Sequence, residues 1–366
     1  MHIETTVEKL KNAVNRVQKV SSKNLSLPVL ENILLSSESN SLTLRSTNLH
    51  VGVEVTVAVK EVVAGTALVN LDIFSKIIGS LSSEDKIVLK IEEQTLLIQT
   101  ETSHMDIKLF PDQDFPTLPR IEDGQEIELP MKTFIEGVEK VHYAASQSDI
   151  KPEIASVYIY PDGKNLIFVA TDSFRLAEKK IVTDTDLDFE GIIIPIKNIA
   201  ECVKIFQGIE DRVSVVIGKN QISIQSEDIY FTSRIVDGNY PDYKQIIPTE
   251  SNIQSILLKS DLVDALRLVN VFSDTFNQIS FSVQKDSGSV SLHTRNTDVG
   301  ENKTTIDAAI TGGDIDMFLN HRYVSDVLSV VQADSVSFSF TEKNKPCVVS
   351  AVGDESFLYL IMPMNR

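Results

Sequence analysis

Cysteine is nearly missing from this chain: Cys202 and Cys347 are the only two, each set in an apolar pattern. Two thiols so placed suit a reducing compartment better than a disulfide framework, and both are expected as buried core groups. Long apolar runs are absent as well, none approaching the ~20 residues that span a bilayer, so no membrane partner is expected. Met1-His2-Ile3-Glu4 opens a strand pattern rather than a signal peptide, and the expected location is cytoplasmic. Catalytic signatures are not found either. There is no glycine-rich phosphate loop, no nucleophile elbow and no histidine pair at metal spacing. The histidines, His2, His50, His104, His142, His293 and His321, are scattered. No catalytic residue, metal or cofactor is expected. Positive charge is scarce: 34 basic against 52 acidic residues leave −18, which argues at first against a nucleic-acid partner. A net charge, however, does not say where the charges lie.

What the chain does have is one unit written three times. Leu166-Ile167-Phe168-Val169-Ala170-Thr171-Asp172-Ser173-Phe174-Arg175-Leu176-Ala177 is an apolar alternation, a polar turn and a second run towards Ile181, the pattern of a β-hairpin. The same device begins at Leu42 and at Val290. Leu42, Leu166 and Val290 stand 124 residues apart at each step, as do Asn48, Asp172 and Asn296. A strand end running into a helix repeats with Phe74, Ile199 and Val324 at a spacing of 125. Each unit also opens on a half-buried helix stripe: Leu10, Val14 and Val17, then Phe134, Val138 and Val141, then Leu262, Leu266 and Val269. Only the middle copy carries Arg-Leu after its turn. At 366 residues the chain suits three domains of ordinary size, 1–124, 125–249 and 250–366. Each reads as two β-α-β-β-β halves, an α+β fold.

Basic residues concentrate on the helices. The first, Thr6 to Lys19, carries Lys9, Lys11, Arg16 and Lys19 against Glu8 alone. Later helices carry Lys132 and Lys140, Lys197 and Lys204, Arg267, and Arg322, while acids crowd strands and loops. Units with helices on one face, joined edge to edge, can close into a ring with strands outside and no exposed edge. Basic helices would then line the hole and meet phosphates without reading sequence. Two chains head to tail would supply six units. Two other readings compete: an enzyme using Asp172 and Arg175, and a β-rich interaction protein with no nucleic-acid role. Against the first, Asn48 and Asn296 stand where Asp172 does, so turn chemistry, in which Asn and Asp tolerate the left-handed conformation and bond backbone N–H groups, is expected there.

Ala170-Thr171-Asp172-Ser173-Phe174-Arg175-Leu176-Ala177, Tyr240-Pro241-Asp242-Tyr243, Leu27-Pro28-Val29-Leu30-Glu31-Asn32 and the terminal Met362-Pro363-Met364 resemble the signatures of the bacterial DNA polymerase III beta subunit family, the sliding clamps. The likeness covers the whole chain. It implies three clamp domains and a homodimeric ring of six around double-stranded DNA, with no active site of its own. A clamp loader would place the ring, which would hold the replicative polymerase catalytic subunit and dock other polymerases and repair proteins carrying a clamp-binding motif.

The resemblance also implies a partner-peptide pocket of Ile154, Thr171, Ser173, Phe174, Arg175, Leu176, Pro241, Gln245, Ile246, Pro346, Val348, Leu360, Ile361, Met362, Pro363 and Met364. Aliphatic and Met side chains would give an adaptable cup, with Arg175 fixing polar ends. Lys23, Asn24, Gln147 and Lys151 match the family's DNA contacts beyond the helices. Met105 and Ile107 of one chain would meet Val271 and Phe272 of the other. Three departures stand out: Ser173-Phe174 where the family usually has Gly-His, Gln245 where a basic residue is frequent, and Asn365-Arg366 at the end. They touch the motif preference and leave the fold alone.

Overall fold

The computed structural model describes residues 1–20, 27–83 and 85–365. The chain begins with β1 (His2–Thr6), α1 (Val7–Val17), β2 (Asn32–Glu38), β3 (Ser41–Thr47), β4 (Val51–Ala58) and β5 (Lys60–Val63). There follow β6 (Gly65–Asn70), α2 (Leu71–Ser80), β7 (Lys86–Glu92), β8 (Thr95–Gln99) and β9 (His104–Lys108). Next come β10 (Gln125–Pro130), α3 (Met131–Val141), β11 (Ser156–Asp162), β12 (Asn165–Thr171) and β13 (Arg175–Val182). Then β14 (Ile192–Pro195), α4 (Ile196–Phe206), β15 (Arg212–Ile217), β16 (Gln221–Gln225) and β17 (Ile229–Arg234). The last stretch opens with β18 (Ile253–Leu258), α5 (Lys259–Val271), β19 (Gln278–Gln284), β20 (Ser289–Asn296) and β21 (Gly300–Thr311). It closes with β22 (Ile315–Asn320), α6 (His321–Val330), β23 (Ser335–Phe340), β24 (Cys347–Ala351) and β25 (Phe357–Ile361).

Local chemistry accounts for these elements. In α1 the stripe Leu10, Val14 and Val17 is buried, and Thr6 caps the helix by accepting from Lys9 N at 3.5 Å. Asn70 and Asn320, at matching places in the repeat, cap α2 and α6 by accepting from Ile73 N at 3.1 Å and Arg322 N at 2.9 Å. In β3, Leu42 and Leu44 point inward while Thr43 and Arg45 are only half-buried, the period of a sheet with one face on the core. Cys202 and Cys347 are free and buried, as expected, and burial pushes both thiols well up from their ordinary range.

The chain packs as two compact units. The first, Met1–Ile135 with Lys197–Val236, holds a five-stranded sheet in the order β5-β1-β7-β8-β9 and an eight-stranded sheet β10-β15-β16-β17-β4-β3-β2-β6. The second, Glu136–Ile196 with Asp237–Arg366, holds a twelve-stranded sheet β14-β11-β12-β13-β25-β24-β23-β18-β21-β20-β19-β22. Two features go beyond the β-α-β-β-β order read from sequence. Each half lends its leading strand to the other half: β1 pairs with β7, and β6 with β2. And the ladders run across the repeats. β4 pairs with β17 from Val51↔Ser233 to Val55↔Ile229, and β13 with β25 from Arg175↔Ile361 to Lys179↔Phe357.

Candidate functional site

The repeated turn forms the tip of the hairpin β12–β13, with Thr171 opposite Leu176. Thr171 donates its hydroxyl to the Arg175 carbonyl at 2.6 Å and accepts from Ser173 N at 3.2 Å. Asp172 Oδ1 accepts from Phe174 N and Arg175 N at 2.9 and 3.0 Å. The first copy repeats these bonds: Thr47 donates to Val51 O at 2.8 Å, and Asn48 Oδ1 accepts from His50 N and Val51 N at 3.0 and 2.8 Å. Turn chemistry is thus what Asp172 and Asn48 do. One detail is corrected. The left-handed residue is the following one, Leu49 at φ 71° and Ser173 at φ 77°, because the side chain that satisfies the turn sits best in extended backbone beside it.

Arg175 is what the middle copy adds. It is 9% exposed, with Nε donating to Asp172 Oδ2 at 2.9 Å, an Nη bonded to Asp326 on α6, and its guanidinium 4.4 Å from the centre of the Tyr323 ring. Burial opposes the charge, yet Tyr359 and the carboxylates of Asp326 and Asp172 hold it above its ordinary value. A cation this deep stays only because it is paired. In the first unit the matching places are filled differently. Asn198, where α6 has Tyr323, donates to Ser233 Oγ at 3.0 Å, and Glu201, where α6 has Asp326, accepts from Asn48 at 3.4 Å. Burial pushes the Glu201 carboxyl up to about 7.

Beyond Arg175 the tail is fastened by main-chain bonds. Met362 N donates to Phe174 O and Met364 N to Phe318 O, each at 2.8 Å. The tail therefore runs as a wall from the hairpin tip to β22. On the sheet face away from Arg175, Leu176 and Leu360 join Ile167, Val169 and Tyr243 in a buried cluster, against which Tyr158, Tyr160, Tyr240, Ile247, Val348 and Leu358 pack. Tyr158 stacks on Tyr160 at 5.0 Å and on Tyr240 at 4.8 Å between ring centres. The Tyr160 and Tyr243 hydroxyls are 2.7 Å apart, and Tyr243 donates to the buried Glu178. Burial, then that bond, pushes the Tyr243 phenol up.

The residues assigned to the pocket all lie in the second unit. Thr171, Arg175, Leu176, Pro346, Leu360 and Ile361 are buried. Ile154, Val348, Met362, Pro363 and Met364 are half-buried, and Ser173, Phe174, Pro241, Gln245 and Ile246 are exposed, Phe174 at 63%. The β13–β25–β24 ladder and the Met362–Phe174 bond bring the hairpin and the tail together, and Tyr243 places the Pro241–Ile246 segment beside them. Ile154 sits in the turn before β11, its carbonyl accepting from Ser146 N at 2.9 Å. The tyrosines, Tyr323 and Asp326 were not foreseen as site residues. Signals for them existed: Tyr158 and Tyr160 are two apart, hence on one strand face, and Tyr323 and Asp326 occupy the repeat positions of Asn198 and Glu201.

Of the residues expected to meet DNA, Lys23 and Asn24 lie outside the described residues. Lys9, Lys19, Lys132, Gln147, Lys151, Lys197 and Lys204 are exposed. Lys11, Arg16 and Lys140 are half-buried, each reaching a carbonyl at the end of a neighbouring helix: Leu81 O after α2, Ile205 O in α4 and Val330 O in α6. Cations there satisfy orphan carbonyls and suit the helix dipole. Burial lowers the affinity of Arg16 and Lys140 for their protons. Of the expected dimer residues, Val271 is 63% exposed, Met105 and Phe272 are half-buried, and Ile107 is buried at 4% in its own sheet's core. β9 is an edge of its sheet, and β21 pairs with β18 only from Ala308 onward, leaving Gly300–Asp307 laddered to β20 alone among the described residues. Among the described residues, too, no three His, Cys, Asp or Glu side chains are placed to hold a metal, and no helix is long and apolar enough to cross a membrane.

Family models of the DNA polymerase III beta subunit match successive stretches: its N-terminal domain at residues 1–119, central domain at 128–242 and C-terminal domain at 244–365. The beta sliding clamp of Streptococcus pneumoniae serotype 4 is 25% identical over 363 residues, covering 96% of each chain. That of Pseudomonas aeruginosa is 25% identical over 367 residues, covering 100% of both. A crystal structure of the Pseudomonas aeruginosa sliding clamp bound to griselimycin has a TM-score of 0.95 at 25% identity, with 100% of both chains covered.

Proposed function

The chain belongs to the DNA polymerase III beta subunit family, and from that membership we propose how its sliding-clamp function is distributed over the molecule. A clamp confers processivity and performs no catalysis. In this reading three domains, 1–124, 125–249 and 250–366, are joined head to tail to those of a second copy in a six-domain ring around duplex DNA. Two open strand edges support the closure, β9 and the Gly300–Asp307 half of β21. An unpaired edge is a liability that another edge relieves. Exposed Val271, with Phe272, Met105 and Ile107 as expected partners, would flank that seam. Lys9, Lys19, Lys132, Lys197 and Lys204, with Lys23, Asn24, Gln147 and Lys151, would face phosphates, so binding would follow charge rather than sequence. Lys11, Arg16 and Lys140 would act mainly by fixing the helices.

The observation that carries the docking function is the tail, bonded to the Phe174 hairpin tip at Met362 and to β22 at Met364, beside the tyrosine-edged apolar cluster. There a short motif from the replicative polymerase catalytic subunit, the clamp loader, other polymerases or repair proteins would seat apolar side chains against the Met-rich wall. The griselimycin complex of the Pseudomonas relative supports a ligand-accepting surface on this fold. Removing Met362 to Arg366 takes away that wall but not the open edges. Affinity for a fluorescent motif peptide is expected to fall at least about tenfold, or about 1.4 kcal/mol, with dimer mass and retention on circular DNA unaltered. Processivity of the polymerase should fall in parallel, since tethering acts through effective concentration. Equal peptide affinity for the intact and shortened proteins would show the pocket to be misplaced.

A further inference from the structure

The sheet face that carries Leu176 and Leu360 does not end with them. Leu358, two residues earlier on β25, shares the face, and Val348 on β24 stands opposite Leu360. From these two a trough of about 660 Å³ runs over β24, β23 and β18 to Ile256, and Val352, Asp354 and Glu355 of the turn between β24 and β25 line it too. Val348, Leu358 and Ile256 are half-buried, and Val352 is 46% exposed. Aliphatic side chains are thus left open around a floor of Ser337, Ser350 and Gln254, in a protein that carries a net charge of −18. Every charged residue lining the trough is acidic.

We propose that this trough receives the chain of a docked partner where it flanks the pocket-binding motif, and that this flank is extended, aliphatic and basic. The inference rests on the pocket reading above and adds to it the chemistry of the partner outside the motif. Continuity carries the location: Val348 belongs to the assigned pocket and to the trough, and Leu358 packs on the Leu176–Leu360 cluster while lining the trough. A chain leaving the pocket over β25 meets the trough with no strand or helix between. Shape and charge carry the chemistry. Val348 and Val352, four residues apart with Ser350 between them, and Leu358 beside them on β25 offer aliphatic contacts that an extended segment can meet with alternate side chains. In the β24–β25 turn Glu355 selects a lysine or arginine and repels a polyanion, so nucleic acid is disfavoured here, while Asp354 is already held by Lys179 and Ser356.

The test uses the full-length protein and synthetic fluorescent peptides. One carries only a glutamine and two spaced leucines. Others extend it, at one end or the other, by about six residues of alternating lysine and valine, enough to span the trough at ~3.3 Å per residue. A control extension alternates glutamate and serine. One of the two basic extensions should tighten binding at least about tenfold over the short peptide, and the control should not. Val352→Ser and Glu355→Gln, both at exposed positions, should each remove most of that gain while leaving short-peptide affinity unchanged. A basic extension that gains nothing, or a gain that survives both substitutions as general attraction to an acidic surface would, overturns the proposal. The two readings fail separately. Short-peptide binding that ignores removal of Met362 to Arg366 sinks the pocket and the trough with it, whereas tail-dependent binding without an extension gain sinks the trough alone.

Discussion

Arg175 holds together parts of the chain that share no ladder, because its guanidinium bridges Asp172 in the hairpin turn and Asp326 on α6. Replacing it with an apolar residue of similar length leaves those carboxylates facing each other without a cation. Arg175→Met should therefore lower stability by about 3 kcal/mol in urea unfolding, and adding Asp326→Asn should recover part of the loss. No recovery would mean that the pair is not what Arg175 contributes. Glu201 is the opposite case, a carboxyl with Asn48 and Lys204 near it and, among the described residues, no buried cation paired with it. Its proton is held more tightly in the folded protein, to about 7, than the ordinary 4.5. The folded state thus binds the extra proton between those values. The stability Glu201 contributes is complete below about 4.5, is lost as pH rises through about 7, and stays lost above. Glu201→Gln should flatten that slope and stabilise the protein at pH 8 by about 1–2 kcal/mol, discounted for its partial exposure. Parallel stability curves for the two proteins from pH 5 to 8 would contradict this. At this scale the sequence spoke clearly about Asp172, because side-chain capping of a turn is local. It was silent on Tyr323, whose role depends on which helix face the hairpin reaches.

The element that most distinguishes the first repeat from the second is the segment after β9. Its Leu118 lies against Gly52, the position that holds Leu176 in the middle copy, so that a Cβ there would clash with Leu118 Cδ2. Tyr230 donates to Pro119 O at 2.7 Å and stacks under Arg120 at 3.6 Å, fastening the segment over β17. Writing the middle copy's residue into the first, Gly52→Leu, should expel this strap and cost about 2 kcal/mol in thermal unfolding, with Leu118→Ala in the same chain restoring some of it. The 124-residue spacing makes the equivalence of Gly52 and Leu176 readable from sequence, and the helices and hairpins were readable for the same reason. Strand partners were not. β1 buries Ile3 alone and β6 buries Ala67, Leu68 and Val69 in a row, and nothing in either says that each will join the other half's sheet, since the apolar pattern fixes which side chains are buried and leaves the neighbour open.

For the whole molecule, the acidic total hides a division of labour among the basic side chains. Lys9→Ala and Lys204→Ala should each lower the log–log salt dependence of DNA retention by roughly one unit, equally on all sequences. Lys11→Ala should leave that slope alone and lower the melting temperature instead, because its ammonium caps the end of α2. A reversed pattern would misplace the DNA path. At the seam, Val271→Asp puts a charge on an exposed apolar position and should raise the dimer dissociation constant at least about tenfold in sedimentation, with the protomer still folded. Composition alone gave no hint of either proposed surface; repeat length and helix charge are what suggested them. The ladder between β4 and β17 also has a consequence during synthesis. β17 leaves the ribosome roughly 170 residues after β4, which at ~5–20 residues per second is on the order of ten to thirty seconds. For that interval the nascent chain carries a finished hairpin of β3 and β4 in which β4, with Val51, Val53 and Val55, has no partner on its far side. Translation speed between these two strands therefore sets how long the newborn protein is open to pairing with the wrong chain.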